Sequence, residues 1–159
     1  MRVVHSEYTF ELLHEIRSFK IWAIDHGPYG DWESEYDHWD DIWEATKTVI
    51  KRLPAEEWSP KVTTSFLYIL ARDHKEGYII SELINKPDQL LHIAYRALTF
   101  PAYPDYEARW QIAYGLGKMR EYKEQAQNLL HQLAINDPHE YVRRRAIMSY
   151  DKKKVSSIT

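Results

Sequence analysis

Ala108-Arg109-Trp110-Gln111-Ile112-Ala113 is followed, 34 residues on, by Val142-Arg143-Arg144-Arg145-Ala146-Ile147, and this pair of segments decides how the chain is read. Each pairs its first apolar residue with another four positions later, Ala108 with Ile112 and Val142 with Ala146. That step places two side chains on one face of a helix. Between the copies lie Leu116-Gly117, a turn, and the apolar stripe Ala126, Leu129, Leu130 and Leu133 of a second helix. A period of this length, filled by two helices and their turns, is the signature of stacked repeats.

Outward from this pair the same texture continues. Only 5 glycines occur in 159 residues, and turn signals fall between long apolar-periodic segments. The pattern predicts eight helices. The first spans Glu7 to Asp25, with Leu12, Ile16, Phe19 and Ala23 on one face, and breaks at His26-Gly27-Pro28-Tyr29-Gly30. The second starts behind Ser34, with Asp37 completing a capping box, and ends at Leu53-Pro54. Ser59-Pro60 opens the third, because proline is welcome at the first helical position. The fourth is short, about Lys75 to Asn85, and Pro87-Asp88 opens the fifth. Asp105 to Lys118 and Glu121 to Ile135 form the sixth and seventh. The eighth follows Asn136-Asp137-Pro138 and fades into a basic tail, residues 151–159, expected to fray. The expected fold is all-α, an α–α superhelix of about eight helices in one domain over residues 1–150.

Residues 104–150 resemble HEAT-like repeat proteins. In that family a helix follows an Asp-Pro turn, carries a Val-Arg-x-x-Ala core and ends in Leu-Gly before a leucine-rich partner helix. Asp137-Pro138, Val142-Arg143 and Ala146 match one copy; Ala108-Arg109, Ile112, Leu116-Gly117, Ala126, Leu129, Leu130 and Leu133 match the other. The resemblance implies structural roles for Arg109, Asp137 and Arg143, with an Asp six residues before the Arg able to pair across the repeat. Asp137 and Arg143 keep that spacing, whereas Tyr103 stands at the earlier position. It also implies a curved stack with an extended face, the kind of surface that usually binds other proteins.

Composition narrows the chemistry. The chain is 19.0 kDa, 44% hydrophobic and 28% charged, which is typical of a globular domain. With no cysteine it has no disulfide, thiolate zinc site or cysteine nucleophile. No apolar run approaches a membrane span, and Met1-Arg2-Val3-Val4-His5-Ser6-Glu7 lacks the apolar stretch of a secretory leader. A cytoplasmic setting is the expectation. The net charge of −3 is unevenly spread: residues 1–80 hold 9 Lys/Arg against 15 Asp/Glu, residues 81–159 hold 12 against 9. Such asymmetry bears on association, and an acidic chain is poorly suited to nucleic acid.

Asp31 to Glu44 is the most unusual segment, with seven acids, three tryptophans and no Lys or Arg. Trp32, Tyr36, Trp39 and Trp43 recur at helical spacing and Ile50 and Leu53 continue the row, so the simplest reading turns that stripe to the core. Acids near a helix start are also favoured by its dipole, by ~0.3–1 kcal/mol each. The number of acids exceeds that need, which makes Trp32, Glu33, Asp37, Asp40, Asp41 and Glu44 a candidate surface for gripping a basic protein.

Two Glu-x-x-His motifs, Glu11/His14 and Glu35/His38, share the spacing of carboxylate-bridged metal bundles. Antiparallel packing of the two helices would hold them on the order of 15 Å apart, so no metal site and no cofactor are expected. No phosphate loop, nucleophile elbow or zinc-protease motif occurs, and His92 and His131 read as polar-flank residues. Arg143-Arg144-Arg145 and Lys152-Lys153-Lys154 are diluted by Glu121, Glu124 and Glu140. A HEAT-like enzyme of the DNA glycosylase type is therefore the alternative to the main expectation: a non-catalytic adaptor or immunity-type inhibitor with a basic protein partner. The aromatic content also suits a homo-oligomer.

Overall fold

Helix starts show how directly local chemistry sets this structure. Ser59 accepts a hydrogen bond from the Val62 amide at 3.2 Å and Pro60 takes the next position; Asp105 accepts from the Glu107 amide at 3.0 Å. The computed structural model describes the backbone over residues 2–99 and 102–158, and side chains over 7–99 and 102–152. Eight α-helices and no strand occur among the described residues. They are α1 (Arg2–His26), α2 (Trp39–Arg52), α3 (Pro60–Arg72), α4 (Tyr78–Ile84), α5 (Pro87–Leu98), α6 (Tyr106–Lys118), α7 (Lys123–Asn136) and α8 (Glu140–Ile158). Short 3₁₀ turns at Trp32–Glu35 and Ala55–Glu57 precede α2 and α3. The backbone of residues 151–158, expected to fray, continues α8, and Thr159 lies outside the described residues.

Helices pack both on their neighbours in the chain and on helices two or three places away. α1 packs on α2 and α3, α3 on α5 and α6, α4 on α2, α5 and α6, and α8 on both α6 and α7. One contiguous core runs through all eight helices, from Leu12 and Phe19 through Phe66, Leu70 and Ile112 to Leu130 and Ala146.

The second helix differs from its expected form. Ser34 does not cap it, because residues 32–35 form a 3₁₀ turn, Tyr36 is extended (ψ 128°) and α2 begins at Trp39. The aromatic residues explain the break. Trp32, Tyr36 and Trp39 converge on one ring, Phe19, at centroid distances of 5.7, 5.0 and 5.4 Å. On a continuous helix they would be strung over about 10 Å of axis, at ~1.5 Å per residue. The Trp39 indole N–H donates to the Glu33 carbonyl at 2.8 Å and ties the turn to the helix. Gly27 lets Trp32 close over it, since a Cβ there would stand 3.2 Å from the indole ring.

Later side chains finish earlier helices. Gln89 donates at 2.8 Å to the Ile50 carbonyl at the end of α2, and Gln111 donates at 2.8 Å to the Leu70 carbonyl at the end of α3, which also accepts from the Asp73 amide at 3.1 Å. The two repeat arginines behave alike: Arg109 Nη1 donates to the Tyr103 carbonyl and Arg143 Nη1 to the Asp137 carbonyl, both at 2.8 Å and both six residues back. The Asp137 side chain pairs across the repeat, with the arginine of the other copy and not with Arg143, which has its backbone carbonyl. The carboxylate is turned toward α6 and takes Arg109 through two bonds of 2.9 and 3.1 Å. The position before each arginine therefore needs only a backbone carbonyl, which Tyr103 supplies as well as Asp137 does.

Candidate protein-binding surface

The six residues singled out between Trp32 and Glu44 separate into core and surface. Trp32 is 8% exposed and stacks on Trp22, so it supports the fold and is not available to a partner. Glu33 is half-buried, within 3.9 Å of His74. Asp37, Asp40, Asp41 and Glu44 are exposed on the first turns of α2 and the bend before it. Among the described residues none of these four is paired with a Lys or Arg; Asp41 has only His38, at 3.6 Å.

Sequence reading missed what lies beside them. Trp43, half-buried, packs against Tyr78 of α4 with ring centres 4.3 Å apart. An open cleft of about 480 Å³ runs along this pair between α2 and α4, with Asp40, Glu44 and Glu82 on its rim and Lys47 the one cation among the described residues lining it. A second cleft, about 260 Å³, lies on the other side of Trp43, where Asp37, Asp40 and Glu76 face Arg72 and Lys75. Trp43 was visible only as the last member of the aromatic stripe; no pattern announces that Tyr78, 35 residues away, completes its floor.

A buried acid holds this floor in place. Asp73, 2% exposed, accepts from the Trp43 indole N–H at 3.0 Å and from the Ile79 amide at 2.9 Å. It thus caps α4, whose own start, Gly77 in the left-handed conformation (φ 68°), offers no side chain. Burial pushes the Asp73 carboxyl up to about 6, against the lowering effect of those bonds. Next to it His74 donates to Glu107 of α6 at 2.9 Å. That bond raises the histidine above its ordinary value; Glu107 is held below the usual carboxylate range because the bonds from His74, Tyr106 and Trp110 outweigh its burial. Arg72 pairs with Asp105, and Lys75 with Asp31 at 3.3 Å.

The two Glu-x-x-His motifs are not brought together, and among the described residues no group of three His, Asp or Glu side chains is arranged to hold a metal. His14 stacks on Phe10 in the α1–α3 groove, while His38 lies beside Tyr36. No helix among the described residues is long and apolar enough to cross a membrane. No family model, curated protein or solved structure matches the chain.

Proposed function

We propose that this chain is a HEAT-like helical-repeat protein acting as a non-catalytic interaction module, an adaptor or immunity-type inhibitor in the cytoplasm. It grips a basic protein through the acidic surface of α2 and α4. The observation that carries the reading is the set Asp37, Asp40, Asp41 and Glu44: exposed, without a Lys or Arg partner among the described residues, and set beside a cleft floored by Trp43 and Tyr78. Unpaired surface acids repel one another in the free protein and release that repulsion when a cationic surface docks. An aromatic floor next to them suits the apolar stem and charged head of a Lys or Arg side chain. The matching i−6 carbonyl bonds of Arg109 and Arg143 support the repeat assignment.

The test is affinity capture from native lysate at low and high salt, read by mass spectrometry, with Asp37→Lys/Asp40→Lys/Asp41→Lys/Glu44→Lys in parallel. The expected result is one stoichiometric basic protein that salt releases and the charge-reversed chain fails to retain. Equal capture by both chains would remove the acidic surface from the reading.

A further inference from the structure

Arg145 of α8 is held among aromatic rings. Its guanidinium carbon lies 5.0 Å from the centre of Trp110, 5.4 Å from Tyr114 and 6.0 Å from Tyr141. Lys118 Nζ lies 5.7 Å from the Tyr114 ring. Among the described residues no carboxylate pairs with Arg145, Lys118 or Lys152, whereas neighbouring Arg144 is paired with Glu140 at 2.9 Å. These three cations line one small cleft between α6 and α8, about 80 Å³, together with Ser149 and, among the described residues, no acid. Gly117 makes the convergence possible: a Cβ there would stand 2.6 Å from the Ser149 Cβ, so only glycine lets the two helices approach so closely.

We propose that this cleft binds a phosphate group, as free phosphate or as the phosphate of a small ester, held by Lys118, Arg145 and Lys152. Three like charges drawn to one cleft without a counter-charge destabilise the free protein, and a dianion between them reverses the sign of that interaction. A guanidinium lying against ring faces keeps its N–H edge free and pre-set for oxyanion oxygens. A cleft of this size suits a tetrahedral oxyanion, and the remainder of an ester would extend out of it past Tyr114, which lines it. This site shares no residue with the acidic surface of α2, so either reading can fail alone.

The experiment is two-dimensional amide and indole NMR of the full chain, titrated with inorganic phosphate at constant ionic strength held with chloride. Saturable shifts confined to Gly117, Ser149 and the Trp110 indole are expected. Lys118→Gln/Lys152→Gln, which alters two exposed side chains, is expected to weaken binding by at least about tenfold, the scale of one lost charged contact. Shifts that do not saturate, that centre elsewhere, or that persist unchanged in the double variant would overturn the proposal. A parallel titration with adenosine monophosphate separates the sources. Affinity about tenfold tighter than for phosphate assigns an ester whose base lies on the rings, and equal affinity assigns phosphate itself.

Discussion

At the scale of single residues, the most consequential pair is Arg109 with Asp137, both buried (side chains 5% and 2% exposed) and joined by two bonds between α6 and the turn before α8. A buried ion pair contributes little against a well-packed apolar substitute, yet removing one member strands the other charge. Asp137→Ala is therefore expected to lower unfolding free energy by about 3–5 kcal/mol in denaturant titration. Arg109→Met/Asp137→Leu should recover only part of this. The Tyr103 carbonyl loses its donor in that variant, and the His139 amide, 2.9 Å from Asp137, loses its acceptor. A double variant no more stable than Asp137→Ala would show that those two backbone groups, and not the charges, dominate.

At the scale of elements, α4 is the weak member: seven residues, with a left-handed glycine at its start and no cap of its own. Asp73 supplies the cap from the end of α3 and at the same time fixes Trp43. Asp73→Ala leaves two donors unsatisfied, at a cost of about 2–3 kcal/mol. For a chain this long that corresponds to roughly 5–10 °C in melting temperature. Tyr78 should become more mobile with it, which a loss of amide protection confined to α4 and the Trp43–Tyr78 contact would reveal. Unchanged protection in α4 would refute the capping role. The same elements show what sequence conveys. Ser59-Pro60 and Pro87 announced their helices because caps and proline act over a few residues. The Glu107–His74 bond and the Gln89 and Gln111 caps were invisible, since each joins groups 33 to 41 residues apart or depends on how a side chain turns. The start of α2 was misplaced for a related reason: the acids and Ser34 favour a helix locally, and packing of three rings on Phe19 overrides them.

At the scale of the whole molecule, pH dependence follows from groups whose shifts point in different directions. Asp73 is raised to about 6, so between about 4 and 6 the folded chain holds a proton that the unfolded chain has released, and stability falls as pH rises. His92 is lowered by burial, which gives the opposite slope just below its ordinary value and offsets Asp73 there. Glu107, lowered, acts only in the acid range, where its contribution is lost as pH falls. Above the ordinary histidine value near 6.5, His74 remains. Its bond to Glu107 raises it, so its stabilisation is complete below that value and disappears as pH climbs through the folded pKa. The neighbours that set this shift are Glu107 and Glu33 in favour of the proton, Arg72 and burial against it. Melting temperature is thus expected to fall as pH rises from about 4 to 6, where the Asp73 slope exceeds the opposing one of His92, and to decline again above pH 6.5 as His74 gives up its proton, by about 2–4 °C for each kcal/mol lost. His74→Gln, which keeps a donor for Glu107 but cannot titrate, should flatten the decline and leave the lower range unchanged. A decline of equal depth in His74→Gln would place the titrating group elsewhere. Because His74 joins the turn before α2 to α6 through Glu33 and Glu107, its loss of charge loosens the edge of the acidic surface first. Capture of a basic partner should therefore weaken over the same pH range in the wild-type chain, and not in the variant.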